Sequence, residues 1–516
     1  MNINIKAKST SSKMLINLIS SLVVFGINLI IQFFFSPYIV RELGAEANGF
    51  ITLANNFITY ASLLTSALNS MSGRFISIAY HQNNTEMANR YYTASFASGF
   101  FAVGILVIPV SLIIIKLEKI LNIPINLVGD VKFLFALVFL NFFLITAFTP
   151  WAAATYVTNT LYLKSLRTME SQIIKVIVIT ALFVFFKPSI VYVGFASLLA
   201  TVFVTFSSLI FKRRLLPEIN VKKAYFHIKD SIKLLLSGMW NTVNQTGNML
   251  SGGLDILISN LFLGYEEMGL LSIAKGISNV ISNLSTTLTG IFAPQTTMKY
   301  AAGKSKEIVP ILKRGCRICS VLTALPVGGF LALGKEFFAL WMPEENSEIL
   351  YVLTALSCIH FAFTAGAQCL INVFTATNRL KLSSLSVLSS GLLGTISALI
   401  FIEVFPSLGV YGVAGISGAF IFLRTIFFIV PFSAKYLKEP IKTFFPEILV
   451  SFYCTAAVFL WGLLFKFIFS PDNWITLILS AILTAALGTA SAIPVALKKN
   501  DIKLIFSFFK KFYSKR

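Results

Sequence analysis

Ser237, Asn241, Asn244, Asn248, Ser251 and Asp255 recur every three or four residues through a stretch that is otherwise apolar. At about 100° per residue, an α-helix holds all six within an arc of roughly 80°. The same spacing links Lys275, Asn279, Ser282, Thr286 and Thr289, and also Asn55, Thr59, Ser62, Ser66 and Asn69. A fourth set is Asn17, Ser21, Asn28 and Gln32. Polar groups facing lipid would go unsatisfied, so these faces must meet protein or water. Interhelical hydrogen bonding, at about 0.6 kcal/mol per contact, accounts for isolated Ser and Thr residues. Four Asn-rich faces of full membrane length are better explained as the lining of a polar central cavity that binds a polar ligand.

Two charges stand on these faces, Asp255 and Lys275. Each costs about 2.5–3.5 kcal/mol at a helix centre. Counted along the helix rise from the turn at Gly264, both fall at a depth of about 13–17 Å on adjacent antiparallel helices, within reach of each other. Two roles stay open at this point: a pair that only neutralises itself, or a site for substrate or a coupling ion. A Lys275 without its partner would bind an anion. Arg74 falls near one end of the second helix and Arg424 within the twelfth, where snorkelling to phosphate is the default. His360, at the place Asn141 takes in the fourth helix, is read as a satisfied core histidine.

The elements that must position these residues are membrane helices. The 516 residues are 56% hydrophobic and 12% charged, with fifty phenylalanines, far from the composition of soluble domains. Fourteen apolar segments are long enough to span roughly 30 Å of hydrocarbon. They also repeat. Leu43, Gly44 and Gly49 recur as Leu263, Gly264 and Gly269, and the gapless register pairs Asn28 with Asn248, Ser62 with Ser282 and Tyr80 with Tyr300. A weaker echo matches Thr158, Asn159 and Leu161 with Thr377, Asn378 and Leu380. Six helices separate the matching turns, so the halves share one topology, with a pseudo-twofold axis along the membrane normal.

The expected architecture is therefore an all-α integral membrane protein: a lobe of six helices over 1–211, a linker over 212–230, a second six-helix lobe over 231–437, and two further helices with a basic tail over 438–516. The net charge of +21 sits on alternate connections, which argues for topology and anionic headgroups rather than nucleic acid. Basic residues include Lys6, Lys8, Lys212, Arg213, Arg214, Lys510 and Arg516, while the intervening connections carry Glu42, Glu266, Glu267 and Glu344. The positive-inside rule then places both termini in the cytoplasm. Without a small-residue cleavage site, the first helix is expected to be retained. The five cysteines are read as small apolar residues, with no disulfide framework and no metal site.

Phe34, Phe35, Ser36 and Pro37, the Leu43–Gly44 turn with Gly49, the polar second helix, and Arg74 with the short loop after it resemble the polysaccharide-transporter family of bacterial repeat-unit flippases. The resemblance covers most of the chain. It implies the fold shared with multidrug-and-toxin extrusion carriers and the peptidoglycan-precursor flippase, two six-helix bundles around a cleft lined by helices one, two, seven and eight. It further implies a protein of the bacterial cytoplasmic (inner) membrane that moves a polyprenyl-pyrophosphate-linked oligosaccharide between leaflets by alternating access, for O-antigen, capsule or exopolysaccharide assembly. Other assembly proteins are possible partners, and H+ or Na+ a possible coupling ion. No cofactor and no enzymatic step are required. Binding residues on this reading are Asn28, Asn55, Thr59, Asn69, Asn241, Asn244, Asn248 and Asn279 for sugar hydroxyls, and Lys275 and Arg74 for the pyrophosphate, with Asp255 balancing Lys275.

An ion-coupled multidrug or cation exporter on the same fold is the main alternative, although such a carrier needs acidic residues in its cavity and the faces hold one Asp and one Lys. A membrane glycosyltransferase or polymerase is disfavoured by short outward connections and the absence of a D-x-D sequence. An ATP-driven pump is disfavoured because no G-x-x-x-x-G-K-[ST] occurs.

Overall fold

The computed structural model describes residues 10–303 and 305–496. Lys6, Lys8 and the basic tail from Lys510 to Arg516 lie outside them, as do the side chains of Asn17, Ser21 and Asn69. The chain is all-helical over the described residues, because a backbone in hydrocarbon must satisfy its hydrogen bonds within the segment. Among the described residues fourteen long helices succeed one another. Helices α1 (10–43) and α2 (45–81) form a continuous run broken only at Gly44. Then come α3 (Thr85–Ile115), α4 (Val128–Val157), α5 (Leu161–Phe185) and α6 (Ile190–Leu215). Helix α7 (Ile228–Asn248) passes through a π-segment, Met249–Gly253, into Asp255–Phe262. Helix α8 (Tyr265–Gly290) continues after a break as Ala293–Ala301. The rest are α9 (Ser305–Trp341), α10 (Ser347–Cys358, extended by short turns to Ala376), α11 (Leu380–Val404), α12 (Gly409–Arg424, extended to Tyr436), α13 (Phe445–Phe469) and α14 (Trp474–Ala496). Among the described residues, ten segments are long and apolar enough to cross a membrane; α1, α2, α7 and α8, the helices that carry the polar faces, are not among them. This is a multi-pass membrane protein.

The sequence repeat is written into the backbone. Gly44 and Gly264 both turn through the left-handed region, with φ of 86° and 135°. Asn83 and Gly303, 220 residues apart, do the same at 56° and 72°, their amides donating to Tyr80 and Tyr300 at 3.0 Å. Asn159 and Asn378 complete the set at 52° and 55°. Here Thr158 and Thr377 cap their helices on the carbonyls of Ala154 and Val373, at 2.9 and 2.8 Å. Asn tolerates this region because its short side chain can bond locally.

The chain divides into two compact units, residues up to 246 with 264–269, and residues 247–263 with 270 onward. The division falls inside α7, two residues before its π-segment. In the first unit, α4 packs on α6, and the α1–α2 run packs on α3, α4 and α5; Ile39, Ile179, Phe183, Val193 and Ala196 form one of its cores. Without a hydrophobic drive between helices in lipid, contact depends on close packing and on small residues. Gly49 and Gly269 meet in this unit: a Cβ on Gly269 would lie 2.7 Å from the carbonyl carbon of Ala45, and one on Gly49 3.1 Å from Gly269 Cα.

In the second unit, α13 and α14 are part of the core. Val321, Ala324, Cys454, Val458, Ala492 and Ala496 pack together from α9, α13 and α14. Arg317 on α9 forks onto buried Glu447 of α13, Nε to Oε2 at 2.8 Å and Nη2 to Oε1 at 3.2 Å. Lys466 pairs with Glu336 at 2.7 Å, and Trp461 Nε1 donates to Ser491 Oγ at 3.0 Å.

Candidate functional site

In the first unit, α1 is exposed on two opposite sides. Val23, Ile30 and Phe34 present an apolar face, and Asn28 and Gln32 an exposed polar one about half a turn away. Helix α2 repeats the arrangement: exposed Asn55 and Thr59 stand in line with Ser62 and Ser66, and Leu64 is exposed on the far side. A helix exposed on both an apolar and a polar face meets two solvents, lipid and water. The α2 groups are anchored by their own helix, Asn55 Nδ2 donating to Ile51 O at 2.8 Å and Thr59 Oγ1 to Asn55 O at 3.3 Å. Such bonds leave the side-chain Oδ1 of Asn55 and its second amide hydrogen for a ligand. Asn241 and Ser237 are exposed on α7, opposite Ile232, Leu236 and Met239, and Asn244 is half-buried. Ser66 Oγ and Thr242 Oγ1 lie 2.7 Å apart, joining α2 to α7. Arg74 is exposed near the C-terminal end of α2 and lies off the Asn55–Ser66 line, by about a quarter turn.

In the second unit, α8 exposes mainly its polar face. Asn279, Asn283, Thr286 and Thr287 are exposed, whereas Leu271, Ala274, Ile281 and Ser285 are buried. Asn248 is exposed at the end of the regular part of α7, and Ser251 Oγ donates to Gly247 O at 2.8 Å. The expectation of one unbroken polar face from Ser237 to Asp255 is corrected here. The π-segment at Met249–Gly253, where Gly252 and Gly253 stand side by side, adds a residue to the turn and rotates the Asp255–Phe262 segment by about 100°. Asn241 and Asn244 therefore belong to the first unit, and Asp255 turns into the second, where it is 3% exposed.

Asp255 Oδ2 is paired with Lys275 Nζ, and Ser417 Oγ on α12 donates to Asp255 Oδ1 at 3.1 Å. Gly252 leaves room beside the pair, a Cβ there lying 3.8 Å from Asp255 Oδ2 and 3.9 Å from Lys275 Nζ. Around it, Ser278 donates to the Ser357 carbonyl at 3.3 Å and Ser357 to the Ala414 carbonyl at 3.2 Å, tying α8, α10 and α12 together. The charge of Lys275 is thus balanced inside the unit. His360 departs from the expected satisfied histidine: it is buried and its Nδ1 has no partner. It borders an apolar groove of about 430 Å³ between α10 and α12, lined also by Leu356, Phe363, Gly415 and Ile416. The five cysteines are buried and free. Among the described residues no group of three His, Cys, Asp or Glu side chains could hold a metal ion.

Helix α5 carries a further polar line that was not singled out from the sequence. Lys164, Thr168, Ser171 and Lys175 succeed one another at intervals of four, three and four, the same signal that marked the other stripes. Lys175 lies in the middle of a 25-residue apolar helix. The residues Ser278, Ser357 and Ser417 around the ion pair were also missed, since nothing in their spacing distinguishes them from packing serines.

A family model described as polysaccharide biosynthesis protein matches residues 14–295. The chain belongs to that family. It is 26% identical over 506 residues to the uncharacterized membrane protein EpsK of Bacillus subtilis (strain 168), an alignment that covers 97% of this chain and 98% of that protein. Among solved structures it resembles the inward-facing conformation of a multidrug resistance MATE family transporter of the MOP superfamily, with a TM-score of 0.63 at 13% identity over 84% of this chain and 96% of that one. It also resembles the lipid II flippase MurJ in an inward closed conformation, with a TM-score of 0.54 at 16% identity over 91% and 100% of the two chains. These likenesses establish a MATE-like fold for this member of the polysaccharide biosynthesis family.

Proposed function

We propose that the protein is a flippase, not an enzyme, that carries a polyprenyl-pyrophosphate-linked oligosaccharide across the bacterial cytoplasmic membrane by alternating access, both termini being cytoplasmic. The observation that carries this reading is the two-sided exposure of α1, α2 and α7, together with the exposed polar face of α8. Amide and hydroxyl groups from Asn28, Asn55, Thr59, Asn241, Asn248 and Asn279 supply both donors and acceptors, which suits the alternating polarity of sugar hydroxyls. Asn69, whose side chain is outside the described residues, extends the α2 line by its position. Arg74 stands where the phosphate of a lipid headgroup or of the substrate would meet it. The polyprenyl tail stays in lipid, and transport draws on an ion gradient or on that of the substrate. The lipid II flippase MurJ, whose fold this chain shares, supports a lipid-linked substrate.

The exporter reading needs a free acidic group for a cationic substrate, and Asp255 is instead occupied by Lys275 and Ser417. The deciding experiment follows lipid-linked oligosaccharide in cells lacking the protein, with leaflet-selective glycan labelling and complementation. Accumulation on the cytoplasmic face with loss of surface glycan is expected. Normal glycan in both leaflets, with altered sensitivity to cationic drugs, would select the exporter.

A further inference from the structure

Lys175 is an ammonium ion placed where lipid cannot accommodate it. It stands fourteen residues from the start and ten from the end of α5 (Leu161–Phe185), about 15 Å or more from either end at the helix rise, too far for its side chain to reach a headgroup. A lysine at this depth faces protein or water rather than lipid. The rest of α5 shows which side that is. Between its two terminal residues, the exposed Leu161 and Phe185, its exposed large apolar side chains are Leu166, Ile173, Ile177 and Val184, and these four fall within an arc of about 40°. Lys164, Thr168, Ser171 and Lys175 fall within an arc of about 60° centred on the opposite side. On that opposite side Lys164 is exposed and Lys175 partly so.

Neither lysine is neutralised. Among the described residues no hydrogen bond or ion pair reaches the ammonium group of Lys164 or Lys175, whereas Lys275 meets Asp255 and Arg317 meets Glu447. The hydroxyls between the two lysines are turned back on their own helix, Thr168 Oγ1 donating to Lys164 O at 3.0 Å and Ser171 Oγ to Thr168 O at 2.7 Å. Free donor capacity on this face therefore resides in the two ammonium groups. Helix α1 completes the surroundings. It runs parallel to α5, with Tyr38 against Phe183 at 5.6 Å between ring centroids and Ile39 in one core with Ile179. Counting from these two contacts toward the N-terminus of both helices brings residues 30–35 of α1 to the level of Lys175 and 26–31 to that of Ser171, spans that include the exposed Gln32 and Asn28.

We propose that Lys164 and Lys175 form a cationic track along α5 that receives the phosphate groups of an anionic polyprenyl lipid, Lys175 holding them at mid-depth beside Gln32 and Asn28. An ammonium is a point charge with three rotatable donors and binds phosphate without demanding one fixed orientation, as a moving substrate requires. Lys164, about 16 Å from Lys175 along the helix, is the earlier of two stations. This assignment rests on the flippase reading and names the group of the substrate that the first unit holds.

The test has two parts, both on the full chain in phosphatidylcholine nanodiscs. Binding of a sugar-free polyprenyl pyrophosphate, with the matching uncharged polyprenol as control, is measured for wild type, Lys175→Gln, Lys175→Arg and Lys164→Gln. Lys175→Gln is expected to lose about tenfold in affinity, the scale of one charge-assisted contact, and Lys175→Arg to retain it within about threefold, with polyprenol binding unchanged. Lys175→Cys is then treated with a charged, membrane-impermeant thiol reagent, against a background of five native cysteines that are each 0% exposed. Modification, slowed by the pyrophosphate lipid, is expected. Failure of the Lys175→Cys variant to react, no binding by wild type, or equal binding by Lys175→Gln and wild type would each overturn the track. If binding and labelling behave as expected but deletion of the protein leaves both leaflets normal in cells, the flippase reading falls and the anion site stands.

Discussion

Replacing Lys275 with methionine tests the ion pair most directly. The substitution strands a carboxylate that is 3% exposed and leaves it a single partner, the Ser417 hydroxyl at 3.1 Å. Removing one member of a buried pair costs about 3–5 kcal/mol, because the remaining charge is uncompensated. The lower end applies here, since the Lys275 side chain is 13% exposed and water can reach the vacated space. Asp255→Asn leaves the cation at the edge of the polar α8 face, where it can hydrate, and should cost less than half as much. The double variant Asp255→Asn with Lys275→Met removes both charges and should return to within about 1 kcal/mol of wild type. The cycle therefore predicts a coupling of about 2 kcal/mol or more. Thermal unfolding of the detergent-purified protein at one fixed scan rate reads it as an apparent Tm that falls by several degrees in Lys275→Met and recovers in the double variant. Export of surface polysaccharide should recover with it. Additive effects, with a coupling within about 0.5 kcal/mol, would refute the strut; so would a stable double variant that no longer exports, by making the charges part of transport.

Gly269→Ala places a Cβ 2.7 Å from the Ala45 carbonyl carbon, and should lower the apparent Tm by the equivalent of about 1–3 kcal/mol, whereas Gly104→Ala, with nothing within 4 Å, should stay within about 0.5 kcal/mol. Asn159→Val and Asn378→Val force a β-branched residue to φ of 52° and 55°, and each should cost about 1–2 kcal/mol, while Asn→Gly at either position should be tolerated; thermal scans compare them. Arg317→Met strands Glu447, which is 1% exposed, and should cost about 3–5 kcal/mol and open the α13–α14 region to protease, with Arg317→Met combined with Glu447→Gln protecting it again.

The all-helical membrane architecture, the repeat and the turn residues were legible in the sequence, since they follow from local rules. Hydrocarbon leaves a backbone no partner but itself, so each long apolar run becomes a helix, and the recurring Leu–Gly and Thr–Asn turns mark where the chain reverses. The polar faces of α1, α2 and α8 were legible for the same reason: their period is that of the helix, and a regular helix keeps it. Where regularity failed, so did the reading. Asp255 belongs with the α7 stripe by counting, but the π-segment before it adds a residue, and contacts with Lys275 and Ser417, residues distant in the chain, decide which way it points. Glu447 reads as an ordinary first-turn acid until Arg317, 130 residues earlier, is found forked onto it. Lys175 shows the division most clearly. Its spacing with Lys164, Thr168 and Ser171 is local and was available in the sequence, but only packing against α1 and α6 determines which side of α5 is given to lipid and which is not. A helix carries its own periodicity, and its orientation belongs to its neighbours.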